Sequence, residues 1–159
     1  MMDVSYEVHG EEGLRFIEPL WLQLRQMHRY ESTYFKSTIG MKTFAQRMDE
    51  LLRKTSEGLL RVEIVRDTDG QPVAYCVSSI DSGLTGEVDS LFVSVVYRGA
   101  GIGTALMESS MRWMDGLGTE RRILSTIVGN EDVQRFYARF GFRPRSVTLE
   151  RLPDAGSDR

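Results

Sequence analysis

The sequence contains a single cysteine, Cys76, and only two histidines among its 159 residues. One cysteine cannot form an internal disulfide or build the cysteine cluster of a structural zinc site. Long apolar runs are also missing, because no stretch approaches the roughly 20 residues that a membrane-spanning helix needs. We therefore expect neither a metal centre nor a membrane partner.

An excess of positive charge is absent as well. The chain has 20 Lys and Arg against 23 Asp and Glu, for a net charge of −3, so no nucleic-acid partner is expected. The first residues lack the apolar core of a signal peptide, which favours a cytoplasmic protein. The length and composition predict one domain at residues 1–153 and a flexible polar tail at 154–159.

A glycine-rich turn at residues 98–103, Arg-Gly-Ala-Gly-Ile-Gly, follows an apolar run at residues 88–96 that is typical of a strand. The next residues have helical spacing, and this helix is expected to begin at or just after Gly101. Glycine has no Cβ, so its backbone N–H can approach a ligand closely. A helix N-terminus adds free N–H groups and the positive end of a dipole. The turn therefore predicts a phosphate or pyrophosphate site.

Three known phosphate-binding patterns can be compared with this turn. A P-loop needs a Lys after its last glycine, and none follows here. The dinucleotide fingerprint needs a third glycine where Thr104 or Leu106 stands, which disfavours a nucleotide-dependent oxidoreductase. The third pattern, Arg-x-x-Gly-x-Gly, is filled by Arg98, Gly101 and Gly103. It resembles the loop with which the GNAT superfamily of acyl-CoA-dependent N-acetyltransferases wraps the pyrophosphate of coenzyme A.

A second segment strengthens this resemblance. Residues 130–142 begin with Asn130, carry Tyr137 seven residues later and end in Gly141-Phe142, which is similar to the second GNAT motif. The resemblance covers residues 59–152. It implies one α+β domain whose mixed, mostly antiparallel sheet has splayed central strands and helices on both faces. It also implies acetyl-CoA as co-substrate.

The pattern along the chain predicts the same order of elements. Strands are expected at residues 4–8, 60–64, 72–80 and 87–95, and the last three should be antiparallel because short turns join them. Pro19 fits the first turn of a helix, residues 30–40 are expected to form a loop, and Thr43 can cap a second helix. A crossover helix should make a strand at 122–128 parallel to its predecessor. A helix at 133–140 and a final strand at 145–152 complete the prediction.

The residue match implies where acetyl-CoA is held. Strands four and five would splay around its pantetheine arm, and Asn130 would lie near the arm's amides unless it only caps a helix. The implied binding residues are Leu91, Phe92, Val93, Arg98, Gly99, Ala100, Gly101, Ile102, Gly103, Thr104, Asn130 and Tyr137.

The resemblance implies that one side chain donates a proton and another accepts one. Tyr137 matches the family tyrosine that protonates the coenzyme A sulfur, although an aromatic residue on a helix is usually core. We expect Phe136 to take that core position. Glu87 stands where the histone-acetylating branch has its general base, with Asp89 or a water chain as alternatives.

The acceptor is less defined than the donor. A small amine or a protein lysine is expected rather than a protein N-terminus, because Ser125 stands where the branch that acetylates N-termini has a Glu. A non-catalytic acyl-CoA-binding or regulatory module of the same fold is the alternative. Many family members dimerise, which leaves a homodimer open here.

Overall fold

The computed structural model describes residues 2–152. Within them the chain forms two compact units, the first made of residues 2–24 and 42–125 and the second of residues 25–41 and 126–152. The tail predicted at 154–159 lies outside the described residues.

A five-stranded sheet forms the centre of the first unit. Its strands are β1 (Ser5–His9), β2 (Leu59–Arg66), β3 (Pro72–Ile80), β4 (Thr85–Val93) and β5 (Arg121–Leu124), and they lie side by side in chain order. The first three pairings are antiparallel and β4 pairs with β5 in parallel. The predicted mixed sheet and its α+β class are confirmed.

Four α-helices accompany the sheet: α1 (Glu18–Glu31), α2 (Phe44–Lys54), α3 (Ile102–Gly116) and α4 (Glu131–Ala138). Short 3-10 helices occupy Glu11–Phe16 and Val95–Tyr97. Thr43 caps α2 as predicted, and it exchanges side-chain hydrogen bonds with Gln46 in a capping box. The first helix includes Tyr30 and therefore extends into the segment predicted as a loop. No helix within residues 2–152 combines the length and apolar character that crossing a bilayer needs.

The core lies around β3, which is buried along almost its whole length. On one face α3 packs against the sheet, where Ser110 Oγ lies 2.6 Å from Ser78 Oγ. Gly86 gives α3 room, because a Cβ there would lie 2.7 Å from the Met114 sulfur. On the other face α2 reaches β4 through Lys54. Helices therefore cover both faces of this sheet, as predicted.

The β4 strand is irregular in two ways. The register of β3 and β4 shifts where Val77 pairs with Ser90 and Ser78 pairs with Val88, so Asp89 is the extra residue of a β-bulge. β5 pairs only with residues 85–88, which leaves residues 89–93 of β4 without a β5 partner. The expected splay of the central strands is confirmed, whereas the bulge was not predicted.

Two predicted strands were wrong in extent or existence. The fifth strand ends at Leu124 rather than at residue 128, and the Val128 carbonyl accepts a hydrogen bond from the Thr33 N–H instead of joining a ladder. No strand forms at residues 145–152, where Val147 and Leu149 are exposed. Alternation of apolar residues identifies a strand face, but it does not supply the neighbour that the backbone groups require.

Candidate active site

The glycine-rich turn lies on the surface of the first unit, and its glycines set its path. Gly101 is the N-terminal cap of α3 with φ +84°, and Gly99 has φ +78°. Both lie in the left-handed region, which glycine adopts without a steric cost. A Cβ at either position would meet nothing within 4 Å. These glycines are therefore required by the backbone conformation, and the space beside them is open.

The backbone N–H groups of the turn are available to a ligand. The Arg98 N–H donates to the Val95 carbonyl, and the Ala105 N–H donates to the Gly101 carbonyl. Between them, the N–H groups of residues 99–103 bond no acceptor in the part of the chain that the structure describes. Five donors at the N-terminus of a long helix suit an anion.

The β4 strand presents a second set of polar backbone groups beside the turn. The Ser94 N–H donates to the Val73 carbonyl at 2.9 Å, so the alternation of an antiparallel ladder directs the backbone groups of Leu91 and Val93 away from β3. Those of Phe92 face β3, and its side chain is buried. Arg98 Nε donates to the Val93 carbonyl at 2.9 Å.

A charged cluster occupies the α2 face of the sheet at the bulge. Lys54, the last residue of α2, places its Nζ 2.6 Å from Asp89 Oδ1 and also donates to Glu87 Oε2. The Asp89 side chain is only 1% exposed, against 22% for Glu87. The structure therefore brings the two predicted acids together, joined by a lysine that the sequence did not single out.

Burial and charge act differently on the two carboxyl groups. Burial raises the pKa of Asp89 to about 6, although the hydrogen bond from Lys54 opposes the rise. Burial would also raise the pKa of Glu87, but the hydrogen bond and the positive charge of Lys54 oppose the rise, and that pKa is lowered overall. Asp89 Oδ2 and Ser79 Oγ are buried without a hydrogen-bond partner among the described residues. Glu87 is thus the ionised, accessible acid and Asp89 the buried one.

A signal for the missed lysine exists in the sequence. Arg47 and Lys54 are seven residues apart, a spacing that places both on one face of α2. Arg47 Nη2 lies 3.5 Å from the Asp89 carbonyl oxygen. The spacing shows which helix face carries the cations, but it does not show which strand they reach.

The second unit contains the other motif. Asn130 caps α4 by accepting a hydrogen bond from the Val133 N–H, and its Nδ2 donates to Glu31 Oε2 at 2.7 Å. Tyr137 is half-buried, with ring centroids of Phe136 and Phe142 at 5.1 and 6.4 Å. No residue of this eight-residue helix is fully buried, so the core position expected for Phe136 was wrong. A helix this short leaves its aromatic face only partly covered.

Neither a reactive cysteine nor a metal-binding cluster is found among the described residues. Burial raises the pKa of Cys76 to about 12, so its thiol stays protonated at neutral pH and is a poor nucleophile. Within residues 2–152, no three His, Cys, Asp or Glu side chains are grouped so that they could hold a metal ion.

Comparison with known sequences agrees with the resemblance of the two motifs to the GNAT family. A sequence model of the Acetyltransferase (GNAT) family matches residues 21–142. An uncharacterised N-acetyltransferase of Methanocaldococcus jannaschii is 29% identical over 126 residues, which are 72% of this chain and 55% of that protein. A second one from this organism is 35% identical over 95 residues, 59% of this chain and 60% of that protein. The chain thus spans little more than half the length of these relatives.

Comparison with solved structures extends over nearly the whole chain. One of the matching structures is aminoglycoside N-acetyltransferase AAC(6')-Iy, solved in complex with CoA. It superposes with a TM-score of 0.65 at 15% sequence identity, and the superposition covers 98% of this chain and 97% of that chain. At this identity, the likeness shows a shared fold.

Proposed function

The chain belongs to the GNAT family of acetyltransferases, and from this premise we propose that it transfers an acetyl group from acetyl-CoA to a primary amine. The proposed reaction is direct attack by the amine within a ternary complex. The observation that carries this proposal is the turn at residues 99–103, which is exposed at residues 99–101 and whose five N–H groups bond no acceptor among the described residues. Such a turn fits the diphosphate of coenzyme A, and Arg98 at its start adds positive charge.

The edge of β4 supports the proposed binding mode. Residues 89–93 have no β5 partner, and Leu91 and Val93 face the open edge. A pantetheine arm carries amides that can pair with such an edge as a further strand would. We assign this contact to the backbone of Leu91 and Val93, with Phe92 contributing through its position between them.

Proton removal from the acceptor is assigned to Glu87. An alkyl ammonium has a pKa of about 10.4 and carries no lone pair for attack, so it must be deprotonated. Bound acetyl-CoA supplies the acetyl group as a thioester. Glu87 is ionised and partly exposed, which suits a proton acceptor. Asp89, whose side chain is 1% exposed, is the alternative base, directly or through water.

Proton donation to the departing sulfur is assigned to Tyr137. A thiolate of ordinary pKa, about 8.5, leaves more readily when a positioned acid protonates it. The residue match to the family tyrosine supports this role. Asn130 is assigned to the pantetheine amides on the same basis, beside its observed role as a helix cap.

The acceptor is proposed to be a small amine or a protein lysine. Ser125 lacks the carboxylate that the family branch acting on protein N-termini carries at this position, which supports the choice. The alternative is a module that binds acyl-CoA without transfer.

Thiol release separates the two functions. We expect purified protein with acetyl-CoA to release coenzyme A only when an amine from a panel of small amines and lysine peptides is added. In Tyr137→Phe, kcat should fall at least tenfold while KM for acetyl-CoA changes little. Tyr6→Phe, on the far edge of the sheet, is the control for loss of a phenolic hydroxyl. Binding without thiol release across the panel would favour the non-catalytic module, and unchanged kcat would remove Tyr137 from the mechanism.

A further inference from the structure

Lys54 joins two elements that are far apart in sequence. It ends α2, and its ammonium bonds carboxylates on β4 that lie 33 and 35 residues further along the chain. Its side chain is 32% exposed, so the aliphatic stem is largely covered and the ammonium is held among the carboxylate oxygens. These contacts hold a long, flexible side chain in one position in the folded protein.

The bulge explains why two carboxylates face one ammonium. Glu87 pairs with Ser79 in the ladder, whereas Asp89 is the extra residue between paired Val88 and Ser90. Both reach Lys54, so both side chains lie on the α2 face of the strand. Arg47 reaches the Asp89 carbonyl from the preceding turns of α2, and the helix is therefore bonded to the bulge at two points.

We propose that Lys54 is a positioning residue for the proton acceptor: its ammonium holds the Glu87 carboxylate beside Asp89 at the β4 bulge. This inference rests on the proposed function, in which Glu87 accepts the proton of the acceptor amine. Lys54 itself takes no part in the transfer.

The charges around the pair explain why such a residue is needed. Two adjacent carboxylates repel when both are ionised, and Glu87 raises the pKa of Asp89. The facing groups are Lys54, Arg47 and, bonded to Arg47, Glu50 from α2, together with Ser79 and the Cys76 thiol from β3. β5 presents Ile123 opposite Glu87, and its two charged residues, Arg121 and Arg122, pair with Thr85 and Gly86 instead. Lys54 alone bonds both carboxylates among the described residues, and although burial would lower the pKa of its ammonium, these bonds raise it.

A carboxyl titration tests the proposal without any assay of activity. We expect carbon NMR of the labelled side chains to show that Lys54→Met raises the pKa of Glu87 by about one unit or more, as expected for the loss of an opposite charge in contact. The control variant is Lys42→Met, which removes a lysine that pairs with Glu50 at the surface. It should leave the pKa of Glu87 unchanged. An unchanged Glu87 pKa in Lys54→Met would overturn the proposal.

The kinetic consequence follows from the same shift. A base with a raised pKa stays protonated to higher pH, so the acid limb of the kcat/KM profile should move upward by about one pH unit in Lys54→Met. KM for acetyl-CoA should change less than twofold, and Lys54→Arg should restore part of the shift. An acid limb that stays in place in an active variant overturns this inference alone. Absence of acetyl transfer by the wild-type protein overturns the proposed function instead, and the titration still decides whether Lys54 holds the pair.

A double variant covers the case in which Lys54→Met folds poorly. The single change leaves two carboxylates without their ammonium, whereas Lys54→Met/Asp89→Asn leaves only one. We expect Asp89→Asn to stabilise Lys54→Met by more than it stabilises the wild-type protein, because in the wild type it also removes a partner of the ammonium. An equal gain in the two backgrounds would contradict the pairing of Lys54 with Asp89.

Discussion

Asp89 shows how a single buried carboxyl can make stability depend on pH. Its pKa is raised to about 6 in the folded protein, against about 3.9 in an unfolded chain. A raised acid pKa means that the folded state binds the proton more tightly. The stabilising contribution of this group is therefore present below about pH 4 and is lost as the pH rises through about 6.

The Asn variant of this residue should escape that loss. We predict that Asp89→Asn gains on the order of 2–3 kcal/mol of unfolding free energy relative to wild type between pH 4 and 7. Urea unfolding at a series of pH values measures the difference. Asp132→Asn, at an exposed carboxylate, is the matched control. Parallel curves for Asp89→Asn and wild type would show that the carboxyl is not perturbed.

Gly101 is the residue on which the start of α3 depends. Its φ of +84° lies where a side chain is strained, yet a Cβ would find open space. We predict that Gly101→Ala lowers the free energy of unfolding by about 1 kcal/mol through backbone strain alone. It should also weaken coenzyme A binding, because the methyl group enters the space beside the N–H groups of the turn.

Gly116, at the other end of the same helix, offers a matched control. A Cβ there also meets nothing within 4 Å, and its backbone is not left-handed. Gly116→Ala should therefore be neutral or slightly stabilising and should bind coenzyme A as wild type does. Urea unfolding and titration calorimetry measure both quantities. Equal effects of the two substitutions would contradict the assignment of a special role to Gly101.

At the scale of elements, local chemistry could be read from the sequence and remote contacts could not. The start of α3 after Gly101 and the extent of β3 at residues 72–80 were predicted because glycine, proline and alternation act within a few residues. The bulge at Asp89 interrupts that alternation, and the residues next to it in the sequence do not indicate the interruption. The contact of Lys54 with Asp89 depends on how α2 lies on the sheet, which no short pattern specifies.

The strand expected at residues 145–152 failed for a related reason. Val147 and Leu149 alternate with polar residues as in a half-buried strand, but a strand also needs a neighbouring backbone. That neighbour is a property of the fold rather than of the segment. The candidate site divides in the same way, since the turn at 98–103 was predicted from its own residues and the charged cluster was only half predicted.

For the molecule as a whole, the two units supply different parts of the proposed mechanism. The first carries the glycine-rich turn, the part of β4 without a β5 partner and the carboxylates, and the second carries Asn130 and Tyr137. Membership of the GNAT family joins these parts in one proposed reaction. A bound ligand stabilises the state that binds it, so coenzyme A should raise the melting temperature of the protein and NAD should not.

The central claim is that the N–H groups of residues 99–103 bind the diphosphate of coenzyme A. Amide NMR spectra recorded during a titration with coenzyme A test it most directly. We predict that the resonances of residues 99–103 shift progressively and saturably, while an equal concentration of NAD leaves them in place. Failure of coenzyme A to bind, or saturation that leaves these five amides unmoved, would contradict the claim.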